Sequence, residues 1–138
     1  MALKRMIVDT SVVKRFVDDA VRAKVRALSL DSVLMRTSML DLEVGYSARN
    51  EIEWVDLVDE LGTFALVEVE QRHLSRALQV QKLLAGRSQR GRKIPDLVTA
   101  AVAEEIGATV LHYDRDFDLI SEVTHQPAQW IAPAGALD

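Results

Sequence analysis

The sequence predicts an α/β domain in which a central parallel sheet is flanked by helices. Short apolar runs, typical of strands buried on both faces, alternate with longer segments whose apolar residues recur at helical spacing. The chain has 138 residues, the length of one domain, and 49% of them are hydrophobic, enough to build a core. Because strands that alternate with helices favour a parallel sheet, we expect residues 1–138 to form one such domain.

Four strands and five helices are expected along the chain. The expected strands are apolar runs at residues 3–8, 33–35, 64–67 and 108–113. The expected helices carry apolar residues at three- and four-residue spacing, over residues 11–28, 38–49, 53–61, 70–85 and 94–107. No internal repeat, low-complexity segment or interdomain linker interrupts this order.

Local signals mark the ends of the expected helices. Thr10 or Ser11 can cap the first helix, and Ser38 with Asp41 resembles a capping box at the start of the second. Pro95 stands in a first helical turn, where a backbone N–H has no helical partner. The expected helix stops are the glycines Gly62, Gly86 and Gly107.

Composition limits the classes of protein to consider. The formal net charge is −4, so any contact with nucleic acid must be local rather than made by a broad basic surface. The absence of cysteine excludes disulfides and thiolate metal sites. The polar start and the short apolar run behind it favour neither a signal peptide nor a membrane span. We therefore expect a cytoplasmic protein.

Carboxylates stand where the predicted strands end. Asp9 follows the first strand, and Asp114 follows the last, with Asp116 two residues further on. Because parallel strands point the same way, Asp9 and Asp114 are expected at one edge of the sheet, the edge where open α/β sheets place ligands. Asp96 lies in the first turn of its helix, and we expect it near the same edge.

Glu43 is a further unusual acid, because it interrupts an expected inward-facing stripe of its helix. The neighbours on that face are Met39, Leu40, Tyr46 and Ser47. A buried carboxylate is unfavourable unless a cation pairs with it, and the same helical face offers no lysine or arginine within one turn. A cation from elsewhere must compensate.

Each acid taken alone also has a structural explanation. Asp9 can cap a helix, Asp96 can interact with a helix dipole, and Asp114 and Asp116 suit a turn; Glu43 can pair with a distant arginine. Together at one edge, however, they repel one another strongly unless a cation lies among them. Oxygen ligands without histidine or cysteine suit Mg²⁺ or Mn²⁺.

Other phosphate and metal motifs do not match. A calcium loop that begins at Asp114 requires glycine and glutamate where Leu119 and His125 stand. An Asp-x-Asp phosphatase motif fails because Ser11 follows Asp9 by two residues, and Gly-x-Gly-x-x-Gly is absent.

Four short motifs in order resemble the PIN-domain ribonucleases, and most closely the VapC toxins of bacterial toxin–antitoxin pairs. They read Ile-Val-Asp-Thr-Ser at residues 7–11, Leu-Glu-Val at 42–44, Pro-Asp-Leu-Val-Thr-Ala-Ala at 95–101 and Asp-Arg-Asp-Phe at 114–117. Their order and the chain length extend the resemblance over nearly the full sequence.

The resemblance implies a PIN-like fold and Mg²⁺- or Mn²⁺-dependent endonucleolytic cleavage of RNA. It matches five acids to the family's acidic positions, namely Asp9, Glu43, Asp96, Asp114 and Asp116. In this scheme the four aspartates hold metal, and Glu43 orients or deprotonates the attacking water. Thr10 and Ser11 match the hydroxyls beside the first aspartate. His112 departs from the family's usual threonine, and we expect a packed or hydrogen-bonded ring.

The partners follow from the same resemblance and from one basic segment. Residues 86–93 carry four cations, Arg87, Arg90, Arg92 and Lys93, which either contact RNA phosphates or belong to a solvated loop. The resemblance implies a VapB-type antitoxin as protein partner. We also expect a homodimer, although the apolar positions of residues 11–28 and 53–61 suit core packing as well.

Two other functions stay open from the sequence. One is a catalytically weak PIN-like module that only binds a partner protein. The other is a metal-dependent nuclease or phosphatase acting on DNA or on small phosphate esters.

Overall fold

The fold is built on a five-stranded, fully parallel sheet. This structure is a computed structural model, and it describes residues 3–88 and 93–137. The strands lie in the order β3-β2-β1-β4-β5. Their bounds are β1 (Lys4–Val8), β2 (Ser32–Thr37), β3 (Ala65–Val67), β4 (Thr109–His112) and β5 (Ala128–Trp130). The predicted fold class, a parallel sheet flanked by helices, is confirmed.

The strand order places a switch point at the centre of the sheet. β1 pairs in parallel with β2 on one side and with β4 on the other. The chain therefore first adds strands in one direction, and then returns to β1 and adds β4 and β5 in the other. In open α/β sheets a crevice forms at such a point, beyond the carboxyl ends of the strands.

Seven helices cover the two faces of the sheet in the described part of the chain. They are α1 (Thr10–Val13), α2 (Asp19–Leu28), α3 (Ser38–Tyr46), α4 (Glu51–Glu60), α5 (Gln71–Gly86), α6 (Ile94–Ile106) and α7 (Asp116–Thr124). A short 3₁₀ turn at Leu61–Thr63 follows α4. No helix in residues 3–88 or 93–137 is long and apolar enough to span a membrane.

Alternation along β1 divides the core between the two faces. Ile7 packs into a cluster with residues of α5, α6 and α7, whereas Met6 and Val8 pack with residues of α1 to α4. Successive side chains of a strand point to opposite faces, and Met6 and Ile7 are both fully buried because helices cover both faces of the sheet. This explains why the first strand is an unbroken apolar run rather than an alternating one.

The helix predicted over residues 11–28 is wrong as one element. It is divided into α1 and α2, and Val17, predicted on an apolar face, is 94% exposed between them. Asp18 explains the new start, because its carboxylate accepts a hydrogen bond of 2.8 Å from the backbone N–H of Ala20 and caps α2. A capping residue in the middle of the apolar pattern was the missed signal.

The capping box predicted at Ser38 and Asp41 is also wrong. The N-cap of α3 is Thr37, which makes no side-chain cap hydrogen bond, and Ser38 is already helical. Asp41 instead accepts a hydrogen bond of 2.9 Å from Arg36 Nε, at the end of β2. An ion pair between the strand and the helix replaces the expected local cap.

Two elements near the chain's end were not predicted. α7 begins at Asp116, inside the acidic stretch, and buries Phe117 and Ile120 at helical spacing. β5 is a three-residue edge strand with only partly buried side chains. Three residues are too few to show the apolar pattern of a strand, so β5 could not be predicted from local sequence. It is a strand because it pairs with β4.

The broken first helix leads to a stability prediction. Asp18→Ala should lower the free energy of unfolding by about 1 kcal/mol, because it removes the cap of α2. Urea denaturation measures this, with Asp56→Ala on the exposed face of α4 as the matched control. If residues 11–28 formed one continuous helix, Asp18→Ala would instead raise the free energy of unfolding, since alanine is a better helix former than aspartate.

Candidate active site and metal centre

The candidate site lies at the switch point, where β1 and β4 end side by side. Asp9 directly follows β1, and its backbone N–H donates to the carbonyl of Leu111 on β4 at 2.9 Å. Asp114 stands two residues beyond β4. The parallel register therefore brings two acids that are far apart in sequence to the same edge of the sheet.

Asp96, Asp114 and Asp116 form an acid cluster. One carboxylate oxygen of each lies within 4.8 Å of the other two. Three different structural elements supply them: Asp96 from the first turn of α6, Asp114 from the loop after β4, and Asp116 from the start of α7. Such a spacing suits a single cation bound by hard oxygen ligands.

Asp96 gives the strongest indication that a cation belongs there. Asp96 is only 3% exposed, and its buried Oδ2 accepts no hydrogen bond from the described residues. Burial first, and then the negative charge of Asp9, raise the pKa of Asp96 to about 8. A buried carboxylate in this state is stabilised by a bound divalent ion, and the residues present therefore fit such an ion.

Asp9 is held rigidly by the serine that follows it in sequence. Its Oδ2 accepts hydrogen bonds from the Ser11 backbone N–H at 3.0 Å and from Ser11 Oγ at 2.6 Å. Ser11 Oγ in turn accepts from the backbone N–H of Tyr113 at 2.8 Å. One serine hydroxyl thus ties the end of β1 to the end of β4. Asp9 caps α1 and its charge acts on Asp96, but its carboxylate is not among the three that form the acid cluster.

Glu43 reaches the site from α3. Thr10 Oγ1 donates a hydrogen bond of 2.9 Å to Glu43 Oε1. Burial is the main cause that raises the pKa of Glu43, and the charge of Asp9 adds to it, against the opposing effect of the Thr10 hydrogen bond. A carboxyl group with a raised pKa beside an acid cluster is a candidate proton acceptor.

The inward-facing stripe predicted around Glu43 is partly wrong. Tyr46 is 93% exposed and Ser47 is exposed, whereas the buried residues of α3 are Leu40, Val44 and Gly45. Glu43 itself is half-buried, at the border of that face. Its environment is polar on the side of Thr10, which explains how the helix accommodates a carboxylate.

Lys93 lies against the acid cluster, whereas the sequence predicted it in a basic segment that contacts RNA phosphates or belongs to a solvated loop. Its Nζ donates a hydrogen bond of 2.7 Å to Asp114 Oδ2 and lies 4.0 Å from Asp96 Oδ2. Burial alone would raise the pKa of Asp114, but the hydrogen bonds from Lys93 and from the Asp116 N–H outweigh it and lower that pKa. The missed signal was the three-residue spacing of Lys93 and Asp96 at a helix start.

The other cations of the predicted basic segment are Arg87, Arg90 and Arg92. Arg87 is exposed and follows α5 as its C-cap. Arg90 and Arg92 lie outside the residues that the structure describes. Their predicted role in RNA contact stays a prediction.

His112 is packed and hydrogen-bonded, as expected. It is fully buried at the end of β4, with Phe117 and Trp130 rings at centroid distances of 5.0 Å. Its Nδ1 accepts a hydrogen bond of 3.1 Å from the backbone N–H of Asp114, and burial lowers the pKa of the ring. A neutral imidazole therefore orients the loop that carries Asp114.

Comparisons with known proteins agree with this geometry. The family model of the PIN domain matches residues 6–123. Ribonuclease VapC51 of Mycobacterium tuberculosis is 58% identical over 138 residues, all of both chains, and ribonuclease VapC18 of the same organism is 39% identical over 86% of this chain and 88% of its own. This chain therefore belongs to the PIN-domain family, in the branch of the VapC ribonucleases.

A solved structure supports the same fold at low sequence identity. VapBC2 from Rickettsia felis, bound to a DNA fragment from its promoter, superimposes with a TM-score of 0.78 at 13% identity, over 91% of this chain and 98% of that one. The PIN-like fold predicted from the sequence is thereby confirmed.

The raised pKa of Asp96 leads to a prediction about stability and pH. In the unfolded chain Asp96 loses its proton near its ordinary pKa of 3.8, whereas the folded protein keeps it up to about pH 8. The folded state therefore binds more protons, and this residue makes stability fall as pH rises through that window. Asp96→Asn removes the penalty and should raise the free energy of unfolding by roughly 1–4 kcal/mol at pH 8 in EDTA.

Urea denaturation at several pH values checks this. The gain of Asp96→Asn over the unsubstituted protein should grow from pH 4 to pH 8, while Asp59→Asn, at an exposed position of α4, should show no such trend. A loss of stability at pH 8 would mean that the Asp96 carboxylate supports the fold.

Proposed function

We propose that this protein is a divalent-metal-dependent endoribonuclease, the toxin component of a toxin–antitoxin pair, which hydrolyses RNA phosphodiester bonds with Mg²⁺ or Mn²⁺. The observation that carries the metal requirement is the buried Asp96 oxygen, which accepts no hydrogen bond from the described residues and lies beside two further carboxylates. Membership of the VapC branch and the ribonuclease names of its relatives support RNA as the substrate.

Asp96, Asp114 and Asp116 would hold the ion, and Asp9 would add a carboxylate from the end of β1. When bound, the ion supplies positive charge that makes water more acidic and offsets negative charge developing on the phosphate. The serine bridge between Asp9 and Tyr113 keeps the ends of β1 and β4 at a constant separation. The acids therefore need little rearrangement to receive the ion, which favours tight positioning of the reacting groups.

Glu43 accepts the proton of the attacking water in this proposal. Its raised pKa lies closer to neutral pH than that of an exposed glutamate, which suits a general base. Thr10 Oγ1 holds one carboxylate oxygen, Oε1, in place, and Oε2, which accepts no hydrogen bond from the described residues, would take the proton of the water. Thr10 thus acts as a positioning residue through Glu43, and Ser11 does the same through Asp9.

The binding of RNA and of a partner protein is part of the same proposal. Local positive charge on a chain of net charge −4 comes from Arg87, Arg90, Arg92 and Lys93, and arginine suits phosphate oxygens.

A VapB-type antitoxin is the proposed protein partner, as in the VapBC complexes with which the fold is shared. The exposed apolar side chains of Leu42 and Tyr46, one turn apart on α3, offer it a contact surface. The homodimer and the cytoplasmic location stay predictions.

The reaction is tested with labelled RNA and DNA of the same sequence. We expect cleavage of RNA alone in Mg²⁺ or Mn²⁺, none in EDTA, and none by Asp96→Asn. The Asp59→Asn variant serves as the control for charge. Cleavage that persists in EDTA would reject the metal requirement, and equal cleavage of DNA would reject RNA specificity.

The role of Glu43 is tested separately. Glu43→Gln should lower kcat about 10²- to 10⁴-fold, because glutamine cannot accept a proton. Mn²⁺ affinity, measured by titration calorimetry, should change little because Glu43 is outside the acid cluster. The exposed Glu51→Gln on α4 is the matched control. Full activity of Glu43→Gln would assign the proton transfer elsewhere.

A further inference from the structure

Lys93 occupies a position that competes with a metal ion. The two oxygens of Asp114 are both engaged: Oδ1 accepts from the backbone N–H of Asp116 at 2.9 Å, and Oδ2 accepts from Lys93 Nζ at 2.7 Å. The same Nζ lies 4.0 Å from the buried Asp96 Oδ2. The ammonium group therefore stands among the oxygens that an ion would take.

The two hydrogen bonds to Asp114 differ in how easily they can be given up. The Asp116 N–H belongs to the backbone at the start of α7 and is held by the fold. The Lys93 side chain is 57% exposed and ends a flexible four-carbon stem, so its ammonium group can return to water. An ion that approaches Asp114 Oδ2 must displace Lys93 rather than the backbone.

The charges of the acid cluster explain why a cation stands there. Asp114, Asp96 and Asp116 all raise the pKa of Lys93, with the hydrogen bond to Asp114 as the largest cause. Without a positive charge these carboxylates repel one another in a partly buried setting. One ammonium offsets part of that repulsion, and a divalent ion offsets more of it.

We propose that Lys93 is an exchangeable counter-ion, which holds the acid cluster together in the metal-free protein and is displaced when a divalent ion binds. The inference rests on the proposed metal requirement and adds a determinant of ion affinity to it. Because displacement of Lys93 must accompany binding, Lys93 weakens the affinity of the site for the ion.

Variants of Lys93 test this through Mn²⁺ binding in the absence of RNA. Lys93→Met should bind Mn²⁺ about tenfold more tightly than the unsubstituted protein, as expected for loss of one competing charged hydrogen bond. Lys93→Gln should show the same direction, whereas Lys93→Arg, which keeps the charge, should not gain affinity. Electron paramagnetic resonance of free Mn²⁺ measures each dissociation constant at one ionic strength.

Lys4→Met is the matched control for loss of a positive charge. Lys4 begins β1 whereas Asp9 follows its end, so roughly 17 Å of strand separates them. Its Mn²⁺ affinity should stay within about twofold of the unsubstituted protein, since charges this far apart are screened by salt. Thermal unfolding adds a second readout: metal-free Lys93→Met should melt below the Lys4→Met variant, and Mn²⁺ should raise its Tm by more.

The outcomes separate the two proposals. Mn²⁺ binding by the unsubstituted protein with equal or weaker binding by Lys93→Met and Lys93→Gln overturns the role of Lys93 and leaves the metal requirement standing. Absence of Mn²⁺ binding in every variant overturns both. If Lys93→Met does not fold, Lys93→Gln decides the affinity comparison by itself.

Discussion

Mutual repulsion among carboxylates at one end of the sheet is the constraint on which this structure depends. The parallel pairing of β1 with β4 brings Asp9 near Asp114, and α6 and α7 add Asp96 and Asp116. Burial raises the electrostatic cost, most visibly at Asp96, whose pKa rises to about 8. A fold that concentrates negative charge in this way needs a positive charge at the same place, and Lys93 provides one from the N-cap position of α6.

Hydroxyl groups and one imidazole give the site its rigidity. Thr10 and Ser11 are neighbours in α1, yet they hold different acids: Thr10 binds Glu43 of α3, and Ser11 binds Asp9 and the backbone of Tyr113. His112 supports the opposite side through the backbone N–H of Asp114. These contacts connect β1, β4 and α3, so the arrangement of the acids is part of the packing of the domain.

The alternation of strands and helices, and the placement of acids at strand ends, could be read from the sequence because both depend on local residue patterns. The division of residues 11–28 into two helices, the pairing of Asp41 with Arg36 and the edge strand β5 could not. In each case a contact decided against the local preference: a cap at Asp18, an ion pair between a strand and a helix, or pairing with β4. Glu43 illustrates both outcomes. Its unusual place among apolar residues of a helix could be read from the sequence, whereas its hydrogen-bond partner Thr10 could not.

By itself the sequence determined that several acids from remote segments share one edge of a parallel sheet, because apolar strands and their order impose that direction on the chain. Only the tertiary structure decided how those acids are arranged. It separates Asp96, Asp114 and Asp116 as the cluster suited to an ion, and it places the ammonium of Lys93 on Asp114. Distances of a few ångströms between segments arise from register and helix packing, which no local pattern of residues encodes.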